Sequence, residues 1–261
     1  MRHPIFLVDA FAERPFRGNP AGVMVLDEAL PEEAMLEVAQ EIAQAETAFV
    51  VRRDGACDIR WFTPVHEAAF CGHATLASAH VLAAELGMEG EIAFHTRQVG
   101  LLRVRPEERG RYTLDLPRLD PRPLDVARVA AVAPGAREAF RNFENLFAVL
   151  GSEAEVRAFV PDLPAIAAFG PMGFCVTAPG ERTDFASRYF APAAGIPEDP
   201  VTGSIHATLV PFWAARLGRD RLTALQVSRR EGRLGCTLLE SRVLLTGSAV
   251  TTLRGQIDLP D

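Results

Sequence analysis

A helix with no polar side must be surrounded by other protein, and this chain carries one from Gly72 to Gly87. The run Gly-His-Ala-Thr-Leu-Ala-Ser-Ala-His-Val-Leu-Ala-Ala-Glu-Leu-Gly makes about four turns at 3.6 residues each, and nearly every position is apolar or small. A helix hydrophobic all round either crosses a membrane or lies in a core. This one falls short of the roughly 20 apolar residues a span requires, and His73, His80 and Glu85 interrupt it. A buried core helix is expected, with its start (Cys71, Gly72, His73) exposed at one end. Gly203 to Gly218 repeats the arrangement without a gap. Both runs begin with glycine plus a small polar or titratable residue, and both close on Ala-Ala, then Glu or Arg, then Leu-Gly. Pro211 is expected to kink the second copy, because it removes a donor in mid-helix. Two wrapped helices of equal length, about half a chain apart, predict two similar halves, each with its own core.

The bulk numbers agree with two ordinary domains or one large one: 261 residues, 48% hydrophobic and 23% charged,. A formal net charge of -7 argues against general nucleic-acid binding, and no basic run with interleaved aromatics occurs. No apolar run is long enough for a membrane anchor, and Met-Arg-His-Pro-Ile-Phe enters a strand pattern without a signal peptide. The four cysteines (Cys57, Cys71, Cys175, Cys236) are scattered, which fits a reducing, cytoplasmic setting better than a disulfide framework. All 27 basic residues are arginine, so Schiff-base lysine chemistry and a Walker A loop are excluded.

In chain order, strands are expected at Ile5 to Phe11 and Val23 to Leu26, with a turn-rich loop from Glu13 to Gly22. Pro31-Glu-Glu opens a helix with proline and acids in its first turn. That helix ends near Ala43 to Ala45, and the β-branched run Thr47 to Val51 begins a strand, so Glu46 falls at a helix-to-strand junction. Further strands are expected at Asp58 to Thr63, Ile92 to Thr96, Val99 to Arg105 and Tyr112 to Leu116. Pro117 to Pro123 holds three prolines in seven residues and marks a boundary between domains 1–117 and 118–261, with a last strand able to return to the first. The second half is expected to hold helices at Asp125 to Val132 and Ser152 to Phe159. Its strands lie near Leu146 to Leu150, Phe174 to Ala178, Ala224 to Val227, Cys236 to Leu239 and Val243 to Leu245.

Helix N-termini present unpaired N–H groups and partial positive charge, so Cys71-Gly-His73 and Thr202-Gly-Ser204 suit a carboxylate, and Gly72 and Gly203 allow close approach. On local sequence alone, Glu198 and Asp199 read as helix caps and His73 as a structural histidine. His80 and His206 read as satisfied core residues. His66, Cys71 and His73 match no usual zinc spacing, so no metal is expected. Glu46 has only small or apolar neighbours. A carboxylate losing hydration there is expected to have a raised pKa, suited to proton transfer near neutral pH; a solvated helix-end glutamate is the ordinary alternative.

Four stretches taken together narrow these choices. They are Val8-Asp-Ala-Phe11 with Phe16-Arg-Gly-Asn-Pro-Ala-Gly-Val23; Ala45-Glu-Thr-Ala-Phe-Val50; Trp61-Phe-Thr-Pro-Val-His-Glu67 running into Phe70-Cys-Gly-His-Ala-Thr75; and Gly195-Ile-Pro-Glu-Asp-Pro-Val-Thr-Gly-Ser204. In order and spacing the chain resembles the PhzF-like (phenazine-biosynthesis) isomerase family. The resemblance implies an α+β, diaminopimelate-epimerase-like fold: two similar domains, each a mostly antiparallel β-barrel around a central helix (72–87 and 203–218), with the active site between them. It implies cofactor-free proton transfer at carbon on a small amino or hydroxy carboxylic acid, by a homodimer. Glu46 takes the place of the catalytic glutamate. His73 and Asp199 would hold the substrate's polar substituents and help move protons, and Gly72, Gly203 and Ser204 would bind its carboxylate. Two departures matter. Racemases of this fold place a cysteine at each helix entrance, whereas here only Cys71 is present; and Ala207 stands where many relatives carry a cysteine. The alternatives are an epimerase or dehydratase using Cys71 with Glu46, and a non-catalytic small-acid binding protein. His66 and Glu67 are further titratable groups beside the first entrance.

Overall fold

The computed structural model describes residues 2–53 and 55–259. The chain divides into two compact units, Met1–Asp115 with Thr246–Asp261, and Leu116–Leu245. The C-terminal segment thus belongs with the first unit, and the boundary expected after residue 117 falls after Asp115.

The first unit contains β1 (Arg2–Ala10), β2 (Asn19–Leu26), α1 (Glu32–Ile42), β3 (Glu46–Arg53), β4 (Ala56–Phe62), β5 (Glu67–Ala68), α2 (Gly72–His80), β6 (Ile92–His95), β7 (Leu101–Pro106) and most of β8 (Arg111–Pro117), which ends in the second. The second contains β9 (Arg122–Leu124), β10 (Glu138–Arg141), β11 (Asn145–Val149), α3 (Glu153–Ala158), α4 (Leu163–Ala167), β12 (Gly173–Pro179), β13 (Phe185–Ala191), β14 (Ile196–Asp199), α5 (Gly203–Leu217), β15 (Arg221–Gln226) and β16 (Gly232–Leu238). The last strand, β17 (Arg242–Asp258), starts in the second unit and ends in the first.

In the first unit, β1, β2, β3, β4, β6, β7, β8 and β17 pair in turn, and β17 pairs back to β1, closing an eight-stranded barrel. Within it β2–β3 and β4–β6 are parallel. Closure leaves no unpaired sheet edge. Every residue of α2 is buried, and it packs against β1, β2, β3 and β7. The all-round apolar run is therefore the barrel's core. Its two hydroxyls satisfy themselves: Thr75 donates to the Cys71 carbonyl and Ser78 to that of Ala74, the i−4 bond available to serine and threonine in an apolar helix. After His80 the backbone continues as a π-helical turn, Val81–Glu85, so the four regular turns expected to Gly87 are not all α-helical. That turn carries Glu85 to a two-pronged pair with Arg254, 2.7 Å on each side, and to the Thr251 hydroxyl. The helix α1 lies outside the barrel, its Met35, Val38 and Ala39 packing into a cluster with Met24, Phe49 and Phe62.

The second unit also wraps a buried helix with mostly antiparallel strands, and its β11–β12 and β13–β15 pairs are parallel. The buried helix α5 packs on β15 and β16. It runs through Pro211 as one helix, so the expected kink does not end it. Trp213 donates its indole N–H to Thr177 at 3.0 Å. The helix expected at Asp125 to Val132 is only a single 3-10 turn, Val126–Arg128, followed by hydrogen-bonded turns in which the Val129 carbonyl accepts the Val132 and Ala133 N–H groups; Val129 and Val132 pack into the apolar cluster. The β-branched valines that mimic a helical stripe disfavour the helix itself.

One loop bears directly on the site. Between β1 and β2 the chain turns tightly, with Phe11, Phe16 and Gly18 at φ of 57°, 68° and 64°, and the Asp9 carboxylate accepts the Phe16 N–H at 2.6 Å. A side chain on Gly18 would place its Cβ 2.1 Å from the Ala10 carbonyl oxygen. Gly18→Ala is expected to destabilise the protein by at least about 1–3 kcal/mol, from left-handed backbone strain and this clash together. Urea unfolding of the two proteins checks this; an unchanged midpoint rejects it.

Candidate active site

The register of β2 against β3 pairs Ala21 with Glu46, two residues along from Asn19, the first residue of β2. Glu46 opens β3 where α1 has ended in a left-handed Ala43, the junction expected from sequence. The start of α2 supplies Cys71 and His73. The four side chains form one cluster. His73 Nε2 lies 3.3 Å from Glu46 Oε2, Asn19 Nδ2 lies 3.1 Å from His73 Nδ1, and Cys71 Sγ is 3.5 Å from His73 Nδ1. Relative exposures are 12% for the Glu46 side chain, 4% for His73 and 0% for Asn19. The helix entrance expected to be exposed is thus buried: Cys71, Gly72 and His73 all lie inside. Burial, which disfavours the imidazolium, lowers the His73 pKa from 6.5 to about 3,. At neutral pH His73 is an uncharged imidazole.

Donor atoms of Glu46, Cys71 and His73 all lie within 4.8 Å of one another. Carboxylate, thiolate and imidazole are three donors a divalent metal accepts, although both ring nitrogens of His73 already face partners. Sequence spacing did not show this set, because Glu46 comes from another strand.

In the second unit Asp199 ends β14 and is 6% exposed. It does not cap α5, whose N-cap is Thr202 without a side-chain capping bond. Instead the Thr202 hydroxyl donates to Asp199 Oδ2. Gln226, from β15, ties the turn together. Its amide N–H groups reach the Asp199 carbonyl at 2.8 Å and the Thr202 hydroxyl at 3.1 Å, and its oxygen accepts the Thr202 N–H at 2.8 Å. Glu198, the other expected cap, forms a two-pronged pair with Arg188. Tyr189 stands opposite Asp199 in the sheet register and donates to Asn145 Oδ1 at 2.9 Å; burial, and after it the Asp199 charge, pushes its phenol pKa up. Gly203 is buried and Ser204 half-buried in the first turn of α5. Thr202→Val removes a buried donor and an acceptor together and is expected to cost about 1–3 kcal/mol. Thermal unfolding checks it, and an unshifted midpoint argues against the network.

The remaining histidines separate. Both ring nitrogens of His80 have partners at 3.0 Å, Tyr112 and Thr251, so it is the satisfied core residue expected. His206 is only half so: Nδ1 bonds the Thr202 carbonyl at 2.8 Å, and Nε2 has no hydrogen-bond partner among the described residues. His66 closes its own turn against Thr63, and Glu67 pairs with Arg60. Local sequence assigned no role to Asn19, Gln226 or Tyr189, and named Thr202 only as the start of the second helix entrance. Asn19 did lie within a motif, but nothing local pointed it at a histidine 54 residues away.

Residues 8–255 match the model of the PhzC-PhzF family, phenazine biosynthesis-like protein. The chain belongs to this family. An uncharacterized isomerase of Pseudomonas aeruginosa is 46% identical over 97% of each chain. A crystal structure of a phenazine biosynthesis protein of the PhzF family from Enterococcus faecalis superposes with a TM-score of 0.95 at 42% identity, covering 99% of this chain and 100% of that one. A hydroxyproline epimerase from Agrobacterium vitis, at 12% identity and a TM-score of 0.66 over 100% and 93% of the two chains, shares the fold alone. Family and relatives place the protein among isomerase-type enzymes, with the α+β epimerase-like architecture expected from its motifs. Among the described residues, no helix is long and apolar enough to cross a membrane.

Proposed function

We propose that this PhzF-like enzyme is a cofactor-independent isomerase that moves a carbon-bound proton on a small amino or hydroxy carboxylic acid, with Glu46 as the acid/base. The observation that carries the reading is a carboxylate at the rim of a barrel core, 12% exposed and 3.3 Å from an uncharged imidazole. Such a carboxylate can take a proton from one carbon and return it to a neighbour, and the imidazole supplies hydrogen bonding without competing for the proton. In this proposal Asp199 and His73 hold the substrate's polar substituents. The amides at Gly72, Gly203 and Ser204 receive its carboxylate, as helix N-termini favour. The enzyme works as a cytoplasmic homodimer with no partner beyond its small-acid substrate.

The test is carbon–hydrogen exchange. A panel of small amino and hydroxy acids is incubated with the enzyme in D₂O and followed by proton NMR. Loss of a carbon-bound proton signal from at least one acid, dependent on enzyme, supports the reading. Binding without exchange across every acid bound supports the non-catalytic alternative. A second reading rests on Cys71, whose sulfur lies 3.5 Å from His73: a cysteine-dependent epimerase or dehydratase loses all exchange in Cys71→Ser, whereas the glutamate mechanism retains it.

A further inference from the structure

We infer that Asn19 is a positioning residue: it fixes His73 in the tautomer that carries its proton on Nε2, the ring nitrogen nearest the Glu46 carboxylate. Its catalytic consequence rests on the isomerase reading above; the tautomer itself does not.

The argument is one of donors and acceptors. An amide NH₂ can only donate, so the ring nitrogen 3.1 Å from Asn19 Nδ2 must present its lone pair. That nitrogen is Nδ1. A buried His73 whose pKa lies near 3 holds a single ring proton at neutral pH, and the proton is therefore on Nε2. This is the nitrogen 3.3 Å from Glu46 Oε2. The amide N–H then bonds to the imidazole at Nδ1, and the ring's own N–H is the one on the Glu46 side, 3.3 Å from the carboxylate. With the amide turned round, its oxygen would draw the proton to Nδ1. The Nε2 lone pair would then face a carboxylate oxygen, acceptor against acceptor, a repulsive arrangement in a site this dry.

The fold leaves Asn19 little freedom to do otherwise. It is wholly buried, follows the left-handed Gly18 that packs against the Ala10 carbonyl, and is held in the β1–β2 ladder opposite Ala10. Cys71 Sγ closes the same side of the ring. His73 thus faces Glu46 as an uncharged ring whose tautomer is decided 54 residues earlier in the chain, the role a second group commonly plays with histidine.

Protein labelled with ¹⁵N-histidine, free of substrate, is measured by long-range ¹H–¹⁵N correlation, with His73 assigned by its loss in His73→Gln. The expected pattern is that of the Nε2–H tautomer, unchanged as the pH is lowered from 7 to about 5, well above the folded pKa. In Asn19→Asp the new carboxylate accepts from Nδ1, so that nitrogen becomes protonated, either as the Nδ1–H tautomer or as the imidazolium held between two carboxylates. In the exchange assay the same variant is expected to lose about 10²–10⁴ in kcat, with KM changed by less than about threefold, the signature of a misdirected histidine. A wild-type Nδ1–H pattern overturns the inference without any variant having to fold. So does an Asn19→Asp protein that keeps both the wild-type tautomer and the wild-type kcat. If instead Glu46→Gln retains exchange while the tautomer is as stated, the acid/base reading fails and the role of Asn19 in orienting the ring survives.

Discussion

Glu46→Gln is expected to lower enzyme-dependent carbon–hydrogen exchange by about 10²–10⁴, the contribution of a positioned general acid/base. The substitution is close to a pure chemical change. The amide keeps the length of the side chain and an oxygen able to accept from His73 Nε2, which lies 3.3 Å from the native carboxylate. It has no basic oxygen to receive a proton from carbon. Glu46 begins β3 on a register set by backbone pairing with β2, so the strand does not depend on the carboxylate. The unfolding midpoint should therefore stay close to that of the parent while the exchange rate collapses. Exchange measured by NMR in D₂O, beside a thermal melt, reads both. Retained exchange in a folded variant removes Glu46 from the mechanism.

The second large effect is on stability at acid pH. Burial holds His73 near a pKa of 3 and His206 near 4, the latter in spite of a bond to the Thr202 carbonyl that works the other way. In the unfolded chain both revert to about 6.5. Between about pH 6.5 and 4 the unfolded state therefore binds two protons that the folded state refuses, and stability rises with pH across this window,. Each group contributes a slope of about 1.4 kcal/mol per pH unit. Two such slopes over the window amount to roughly 7 kcal/mol, a large part of the 5–15 kcal/mol typical of a folded protein. Burial shifts His80 in the same direction. Urea unfolding at intervals from pH 7 to 4.5 should show the midpoint falling steeply below about pH 6.5. His206→Gln, which removes one of these groups, should reduce that slope by roughly a third to a half. A midpoint flat with pH over this range would falsify the assignment of both histidines as buried and neutral.

Much of the architecture was legible because its cause is local. A helix without a polar face has one soluble solution, and α2 and α5 both adopt it. The prolines and acids at Pro31-Glu-Glu do open a helix, and the β-branched run after Glu46 does form a strand. Errors arose where one local signal stood for two states. Asp125 to Val132, expected as a helix, is a 3-10 turn followed by further hydrogen-bonded turns. Glu198 and Asp199 stood where caps stand, yet Arg188 claims one and Thr202 the other. The π turn after His80 left no mark in the composition, because it changes the hydrogen-bond register and not the apolar character of the run.

The sequence by itself determined the family, the α+β class, the two central helices and the suspicion that Glu46 and His73 matter. Those properties follow from hydrophobic pattern, turn chemistry and motif order, which are read along the chain. Only the tertiary structure decided who stands beside whom: Asn19, Glu46 and Cys71 around His73, and Thr202 and Gln226 around Asp199. A hydrogen bond exists or fails over a fraction of an ångström, and burial shifts a pKa through atoms drawn from many strands. Both depend on how distant segments come together in space, and that is settled when the barrel closes.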